Sequence, residues 1–351
     1  AVVFGAVLCG RRALTLRAIA VAALIVLVLQ PEALLGPGFQ MSFAATTALV
    51  VTFRWLSDHD TFGMPRWLRP AFAVFVSSAV AGAATAPFAA AHFNIVSHYG
   101  LIANVLSVPV MGAIVMPAAV LAAVLSLIGL AAPALWIMGK GLEWILFVAE
   151  TVAEAEGAVG RIPAPGPEVL PLLALGSLAL ILWRGRERWA GLAPVAAAIV
   201  LWLLSDRPDL LISPSGGLMG VLQAEGRALS KPRGDGFVAA SWLENDADSA
   251  NQAEAHGRGQ GASISLGGMS FLHLTGAKAR DASCSGTAIL VLNAAPSDTL
   301  PCEAITPDTL RDTGAIAYRL QDEALEKVTA REVTGRRLWN DAETRARFYP
   351  P

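Results

Sequence analysis

Polar residues interrupt the apolar N-terminal half of this chain at two places, and these are its strongest candidates for chemistry. The first place is residues 37–43, PGFQMSF, where Gln40 and Ser42 follow a helix-breaking Pro-Gly pair. Burying an amide without a partner costs roughly 1–3 kcal/mol. We therefore expect both side chains to face protein or water rather than lipid. They either bond across neighbouring helices or line a hydrophilic path.

A second polar cluster lies in residues 91–104, AHFNIVSHYGLIAN, within residues 70–139, which contain no Asp, Glu, Lys or Arg. Polar groups at membrane depth are costly and are functional candidates by default. The alternative is a connector whose polar side chains lie in headgroup water. His92 and His98 make a poor zinc pair, because no third ligand is nearby. The candidate residues of this cluster are His92, Phe93, Asn94, His98, Tyr99 and Asn104.

Signatures of soluble enzymes are absent from the sequence. The 5 histidines form no HxH or HExxH pattern, and there is no Walker A loop. We predict no bound metal, no cofactor and no catalytic residues.

The elements that position the two clusters follow from the composition, which is 54% hydrophobic and 15% charged. Soluble domains are usually near 25% charged. Residues 1–204 hold 11 Lys and Arg and 9 Asp and Glu, whereas residues 205–351 hold 15 and 19. The sequence predicts a polytopic all-α membrane bundle over residues 1–204 and a smaller soluble α+β domain over residues 205–351. The net charge of the second part, 15 − 19 = −4, argues against an electrostatic nucleic-acid surface there.

Apolar segments of near-membrane length predict the helices of the bundle, since a bilayer core needs about 20 helical residues. An earlier run, residues 1–8, ends too soon at Arg11 and Arg12, so we expect the chain to begin inside a longer protein. One helix is charged on one side, through Lys140, Glu143, Glu150 and Glu154, and should face the bundle interior or the interface. The predicted segments are 13–30, 39–56, 70–90, 105–130, 134–156, 169–183 and 189–204.

Three basic loops predict one orientation of this bundle. The positive-inside rule places loop 184–188 in the cytoplasm. Counting back by alternate crossings puts loop 57–69 and cluster 11–17 on the same side. The connector at 91–104 and the tail at 205–351 then lie outside. In a bacterial inner membrane that side is the periplasm.

Short strands and turns dominate the predicted tail. Residues 210–223 predict a hairpin that turns at Gly216–Gly217, and residues 244–263 predict a polar mobile loop. Cys284 and Cys302 flank an apolar strand, and an outside location permits a disulfide between them. The alternative is two unpaired buried thiols. The further strand candidates are 237–243, 264–274 and 287–293, and residues 306–320 should hold short helical pieces.

Both polar clusters resemble segments of the ComEC family of competence proteins. GPGFQMSFAATTALV at 36–50 resembles the family's GFQLSF-A segment. Residues 85–122 resemble its later signature, a Pro, an aromatic residue and His-Phe, followed by Leu-x-Ala-Asn-x-x-x-x-Pro. The two matches occur in the family's order.

This resemblance implies an inner-membrane channel component for single-stranded DNA in natural transformation. The expected partners are single-stranded DNA, the lipid bilayer and other competence proteins. A homo-oligomer of this chain is a further possibility. Gln40, Ser42, His92, Asn94, His98 and Asn104 would line the path, with Phe93 and Tyr99 as stacking faces. The tail stands where many members have a metallo-β-lactamase-like domain, but it lacks that domain's HxHxDH motif. A membrane-anchored hydrolase and a small-solute transporter or structural membrane protein are the alternatives.

Overall fold

A computed structural model describes residues 15–58, 65, 67–259, 262–284, 288–321, 324–337 and 340–341. The chain divides into two compact units, one ending at Leu203 and the other beginning at Leu204. The sequence places this division between residues 204 and 205. Arg11, Arg12 and Arg66, on which the predicted orientation depends, lie outside the described residues.

Helices occupy each segment that the sequence predicts to be an apolar span. Within the described ranges, three stretches are long and apolar enough to cross a membrane: residues 69–93, 100–126 and 132–153. A helix-rich region with such spans followed by a smaller α+β region agrees with the predicted fold class. The helices are α1 Leu16–Leu29, α2 Pro37–Asp58, α3 Arg69–Phe93, α4 Gly100–Val110, α5 Met116–Ser126, α6 Ala132–Ala153, α7 Val169–Leu182 and α8 Leu192–Leu203.

Shorter turns link some of these helices. A π-helical turn, Met111–Val115, joins α4 to α5 without a break. Two 3-10 turns, Pro31–Leu35 and Arg186–Gly191, precede α2 and α8.

The connector after α3 is shorter than predicted. Helix α3 continues through Phe93 and α4 begins at Gly100, so Asn104 lies in a helix rather than in an irregular segment. Asn94 ends α3 with a left-handed φ of 59°, a conformation that its short polar side chain tolerates. Strand β1, Ile95–Ser97, then pairs antiparallel with β2, Val159–Arg161. Its partner is 64 positions away, as in the pair Val96 and Gly160, so local patterning could not predict this strand.

Close helix packing holds α6 against the α4–α5 stretch. The buried residues of α6 are Ala134, Gly141 and Val148, which are spaced by one heptad and therefore share one side. A Cβ on Gly141 would lie 2.6 Å from Cγ2 of Val115 in the π-helical turn, so only glycine permits this approach. The indole Nε1 of Trp144 donates to the carbonyl of Leu106 at 3.2 Å.

The described part of the tail contains two sheets. Their strands are β3 Leu210–Ile212, β4 Met219–Gln223, β5 Gly226–Leu229, β6 Ser263–Leu266, β7 Met269–Leu274, β8 Ala288–Leu292, β9 Ala304–Ile305, β10 Ile316–Gln321 and β11 Ala324–Thr329. The first sheet is antiparallel and has the order β11-β10-β3-β4-β5, and the second is mixed and has the order β6-β7-β8-β9. Strands β7, β8 and β9 are parallel to one another.

The tail helices are α9 Gly236–Asn245, α10 Gln252–Gly257, α11 Ala277–Arg280, α12 Pro307–Thr313 and α13 Ala330–Thr334. Helices α9 and α10 pack on the outer face of the first sheet and α11 packs on that of the second, whereas Leu310 of α12 belongs to the cluster between the sheets. One buried cluster joins the facing sheets through side chains such as Ile212 and Phe271. A second packs Leu243 and Ala255 on the first sheet, and a third packs Ala279 on the second. The tail is therefore a four-layer sandwich, with helices outside two central sheets.

The predicted hairpin at 210–223 is confirmed, with β3 and β4 paired and Gly216 at a φ of 65°. Residues 264–274 form a hairpin, β6 and β7, rather than one strand.

Two tail predictions are wrong. Residues 237–243 form part of helix α9 instead of a strand, because Ala239 and Leu243, four residues apart, pack on one helical face. The predicted mobile loop at 244–263 contains helix α10, which Asn251 and Glu254 begin with a capping box.

Residues 306–320 contain a helix and also a strand that was not predicted. Helix α12 agrees with the expected short helical pieces. Strand β10 follows it and pairs with β3 and β11, which lie on either side of it. Both partners lie outside the segment, so the segment's own sequence does not show them.

Candidate functional site

Gln40 and His92 bring the two polar clusters of the sequence together. Gln40 begins the second turn of α2, His92 lies in the last turn of α3, and Oε1 of Gln40 is 2.7 Å from Nε2 of His92. The amide nitrogen of Gln40 donates to the carbonyl of Leu34 at 2.9 Å. Its oxygen is left to accept, so His92 carries a proton on Nε2. Both side chains are half-buried.

The connector residues Asn94, His98 and Tyr99 bond a second loop, residues 156–162. The Nδ1 atom of His98 donates to the carbonyl of Gly157 at 2.7 Å. The hydroxyl of Tyr99 donates to the carbonyl of Glu156 at 3.3 Å. The side-chain amide of Asn94 donates to the carbonyl of Ile162 at 3.3 Å. We call the paired strands β1 and β2 with these bonds the clasp. Its side-chain donors satisfy loop carbonyls, which is a structural role.

The remaining candidates take part in neither of these contacts. Ser42, Phe93 and Asn104 have exposed side chains, and the ring centroid of Phe93 lies 6.4 Å from that of His92. Of the eight candidate path residues, Gln40 and His92 form one site and Asn94, His98 and Tyr99 form another. The sequence does not reveal this division, because it depends on which loop pairs with the connector.

A cavity of about 1160 Å³ lies at the far end of α2 from Gln40. Among the described residues, its lining includes Arg54, Arg184 and Asp58. Guanidinium groups bind phosphate oxygens in a bidentate way. The cavity was missed because its residues come from segments far apart in sequence, although each arginine marks the end of a predicted span. Its polar lining is Thr15, Thr46, Arg54, Ser57, Asp58, Ser77 and Arg184.

The tail has a polar cluster at the turn between β3 and β4. Ser215 donates to Oδ1 of Asp235 at 3.1 Å, and its hydroxyl is a hydrogen-bond acceptor for the backbone of Gly217 at 3.0 Å. His273 is buried, and its Nε2 donates to the carbonyl of Gly216 at 2.9 Å. Burial lowers the pKa of His273. Because Nε2 donates to this carbonyl, that nitrogen cannot also accept a proton from Ser215.

Metal-ligand side chains do not converge in the described part of the tail. In the ranges that the structure describes, no group of three or more His, Cys, Asp or Glu residues could hold a metal ion. Cys284 and Cys302 are joined in a disulfide, with their Cα atoms 5.9 Å apart. Cys302 packs beside the buried strand β8, so the bridge ties a loop to the outer face of the second sheet.

Two ion pairs fix the polar segment that the sequence predicts to be mobile. The fully buried Arg227 bonds Asp246 through two nitrogens, with Nη2 3.1 Å from Oδ1, and it also donates to two backbone carbonyls. Arg258 pairs with Asp248, and this hydrogen bond lowers the pKa of Asp248. A buried charge needs such compensation to be tolerated.

Comparison with known protein families supports the resemblance of the two polar clusters. No curated protein and no solved structure matches the chain. The model of the family described as "Competence protein" matches residues 1–187, which is more than half of the chain and includes both clusters. The chain belongs to the competence protein family.

Proposed function

We propose that the helical region forms part of an inner-membrane passage for single-stranded DNA in natural transformation. The observation that carries this proposal is a polar side of α2. Gln40, Thr47 and Arg54 follow one another at heptad spacing and therefore share one side of the helix. This side connects the Gln40–His92 contact with the cavity that holds Arg54 and Arg184. Single-stranded DNA needs water and cationic hydrogen-bond donors to its phosphates along its route.

Two structural features support a multi-pass topology with alternate crossings. Segment 91–104, which is predicted to lie outside, pairs in the clasp with residues 156–162, and the same alternation of crossings puts that loop outside as well. The ends predicted to lie inside, near Thr15, Arg54 and Arg184, share one cavity. Reporters fused at residue 186 and at the C-terminus should therefore report the cytoplasm and the periplasm. The opposite result would contradict this topology.

The tail, in this proposal, is a periplasmic domain without catalytic activity. Its two facing sheets carry helices on their outer sides. Its sequence lacks the metal-binding motif of a metallo-β-lactamase-like domain, HxHxDH, and two-metal hydrolysis needs such ligands. The disulfide between Cys284 and Cys302 suits an oxidising compartment.

Mutation of the cavity arginines tests the passage. In a transformable host, Arg54→Gln and Arg184→Gln should each lower the number of transformants and the entry of labelled DNA. Each change removes a guanidinium group that would bind the phosphates of the DNA. Arg184→Lys keeps the charge and should retain more uptake. The matched control is Arg188→Gln, because Arg188 stacks on Trp189 at 4.8 Å and is not part of the cavity lining. Normal DNA entry after deletion of the whole gene would refute the proposal.

A separate experiment tests the tail. The full chain, purified in detergent, should contain no stoichiometric zinc or manganese and should not degrade single- or double-stranded DNA. Bound metal together with nuclease activity would instead support a membrane-anchored hydrolase. That outcome would concern the tail alone. The transformation assay tests the passage separately.

A further inference from the structure

Helix α6 has a charged side that no other described element covers. Trp136, Lys140, Glu143, Phe147, Glu150 and Glu154 follow one another at alternating intervals of four and three residues, and all are exposed. We call this side the charged face of α6. The opposite side, through Ala134, Gly141 and Val148, is buried against the α4–α5 stretch. The charged face therefore points away from the helices that hold α6 in place.

An ion pair lies near the middle of this face. Nζ of Lys140 is 2.7 Å from Oε2 of Glu143, and the two side chains are 56% and 65% exposed. Helix α6 has 22 residues, which at 1.5 Å per residue span about 33 Å. Glu143 is near the midpoint, roughly 17 Å from the start. A bilayer core is about 30 Å thick, so the short glutamate side chain reaches neither interface, and its bond to Lys140 keeps that ammonium at a similar depth.

Lipid is a poor environment for this pair. A charged side chain at the centre of a spanning helix costs roughly 2.5–3.5 kcal/mol on insertion scales. The neighbouring apolar side of the same helix, which includes Leu146, offers a lipid-compatible surface without this cost. The exposure of the pair thus indicates that the charged face meets something polar.

A second copy of this chain is also a poor occupant. Copies in one membrane share the same orientation, so a two-fold axis along the membrane normal would bring each residue near its own equivalent. Glu150 would then oppose Glu150 and Glu154 would oppose Glu154. In the described part of the chain neither carboxylate has an ion-pair partner that could relieve this repulsion.

We infer that the charged face of α6 borders water inside the membrane. Water solvates the Lys140–Glu143 pair and the two further carboxylates without requiring complementary charges from a partner. The face has one cation and three anions, so it is not a phosphate-binding wall. It differs in this respect from the cavity with Arg54 and Arg184. The inference rests on the proposed membrane crossing of α6 but not on the transport of DNA.

Thiol labelling of the full chain in its membrane tests this inference. Cys9 is replaced by serine, and the Cys284–Cys302 disulfide, which maleimides do not modify, is kept. Lys140→Cys and Glu143→Cys are then exposed to a small, charged, membrane-impermeant maleimide. We expect both to react at least ten times faster than Leu146→Cys, which lies at similar depth on the apolar side. Ser97→Cys, in the exposed connector, gives the rate for open water.

Three outcomes would overturn the inference. Reaction of Glu143→Cys as slowly as that of Leu146→Cys would show that lipid or protein covers the charged face. Oxidative cross-linking of Glu143→Cys between two chains would show a copy-to-copy interface. Labelling of Leu146→Cys as fast as Ser97→Cys would show that α6 does not cross the membrane. None of these measurements depends on DNA uptake, so they test this inference independently of the proposed DNA passage.

Discussion

His92 at the end of α3 donates to Gln40 at the beginning of α2 across 2.7 Å, although 52 positions separate them in sequence. Each residue belongs to one of the two segments that resemble the competence family. The contact therefore gives a physical reason for the two segments to occur together. It ties two helix ends on the side that we propose is periplasmic, at one end of the polar side of α2.

Loss of the Gln40–His92 bond should loosen α2 from α3. We expect Gln40→Leu and His92→Leu each to destabilise the purified chain by about 1 kcal/mol, the usual worth of such a bond. Thermal unfolding in detergent measures this effect. The double variant should cost less than the sum of the two single changes, because they remove the same bond. Fully additive effects would mean that the bond is not made in the membrane protein.

Engineered cysteines should capture the clasp. Ser97 and Val159 are directly paired in the β1–β2 ladder, so Ser97→Cys with Val159→Cys should form a disulfide during growth if both loops reach the periplasm. Mass analysis after proteolysis detects the bridge. Val96→Cys with Val159→Cys is the control, because neighbouring strand residues point to opposite faces. Equal cross-linking of both pairs would argue against this register.

Breaking the native disulfide should weaken the tail. Cys284 and Cys302 are 18 positions apart, and closing a loop of this size stabilises a fold by about 3 kcal/mol in the chain-entropy model. Cys302→Ser should therefore increase hydrogen exchange at the amides of β8. Amides of α6 provide the internal control, since they belong to the other unit. Unchanged exchange in β8 would mean that the bridge contributes little to the tail's stability.

Mild acid should loosen the tail through His273. Burial lowers the pKa of this side chain, so the folded tail keeps it neutral while the unfolded chain takes up a proton below pH ~6.5. The stability present above that pH is then lost as the pH falls towards the lowered pKa. The protection of β8 amides, corrected for the intrinsic pH dependence of amide exchange, should decrease as the pH falls below about 6.5. His273→Gln keeps a neutral donor for Gly216 and should reduce this pH dependence; an identical pH profile would refute the assignment.

Stronger acid should act through Asp248. Its pKa is lowered by the hydrogen bond from Arg258, so its contribution is present above the unfolded value of about 3.9 and is lost as the pH falls through the lower folded value. Asp248→Asn should remove this step and raise exchange in the nearby amides of α10 already at neutral pH. Exchange that stays the same in α10 would show that the pair is dispensable.

Local patterns predicted the helical segments well, because long apolar runs between basic loops leave a membrane protein few alternatives. They were less successful where a short segment depends on a distant partner. Residues 237–243 are apolar enough for a strand, but helix α9 lets Ala239 and Leu243 pack together on the first sheet. The polar stretch at 244–263 has no apolar residue larger than alanine. Arg227 nevertheless orders it through a buried ion pair, and Arg258 through a partly buried one.

The sequence by itself determined the two-part organisation, the helical segments and the two motif segments, since all of these depend on composition and on spacing along the chain. Only the tertiary structure decided that Gln40 meets His92, that the connector joins residues 156–162, and that Arg54 and Arg184 share a cavity. These contacts depend on which helix ends come together, and no periodicity within one segment specifies that. The tertiary structure also decided that the charged face of α6 points away from its neighbours. The contact at Gly141, where another helix approaches closely, sets this orientation.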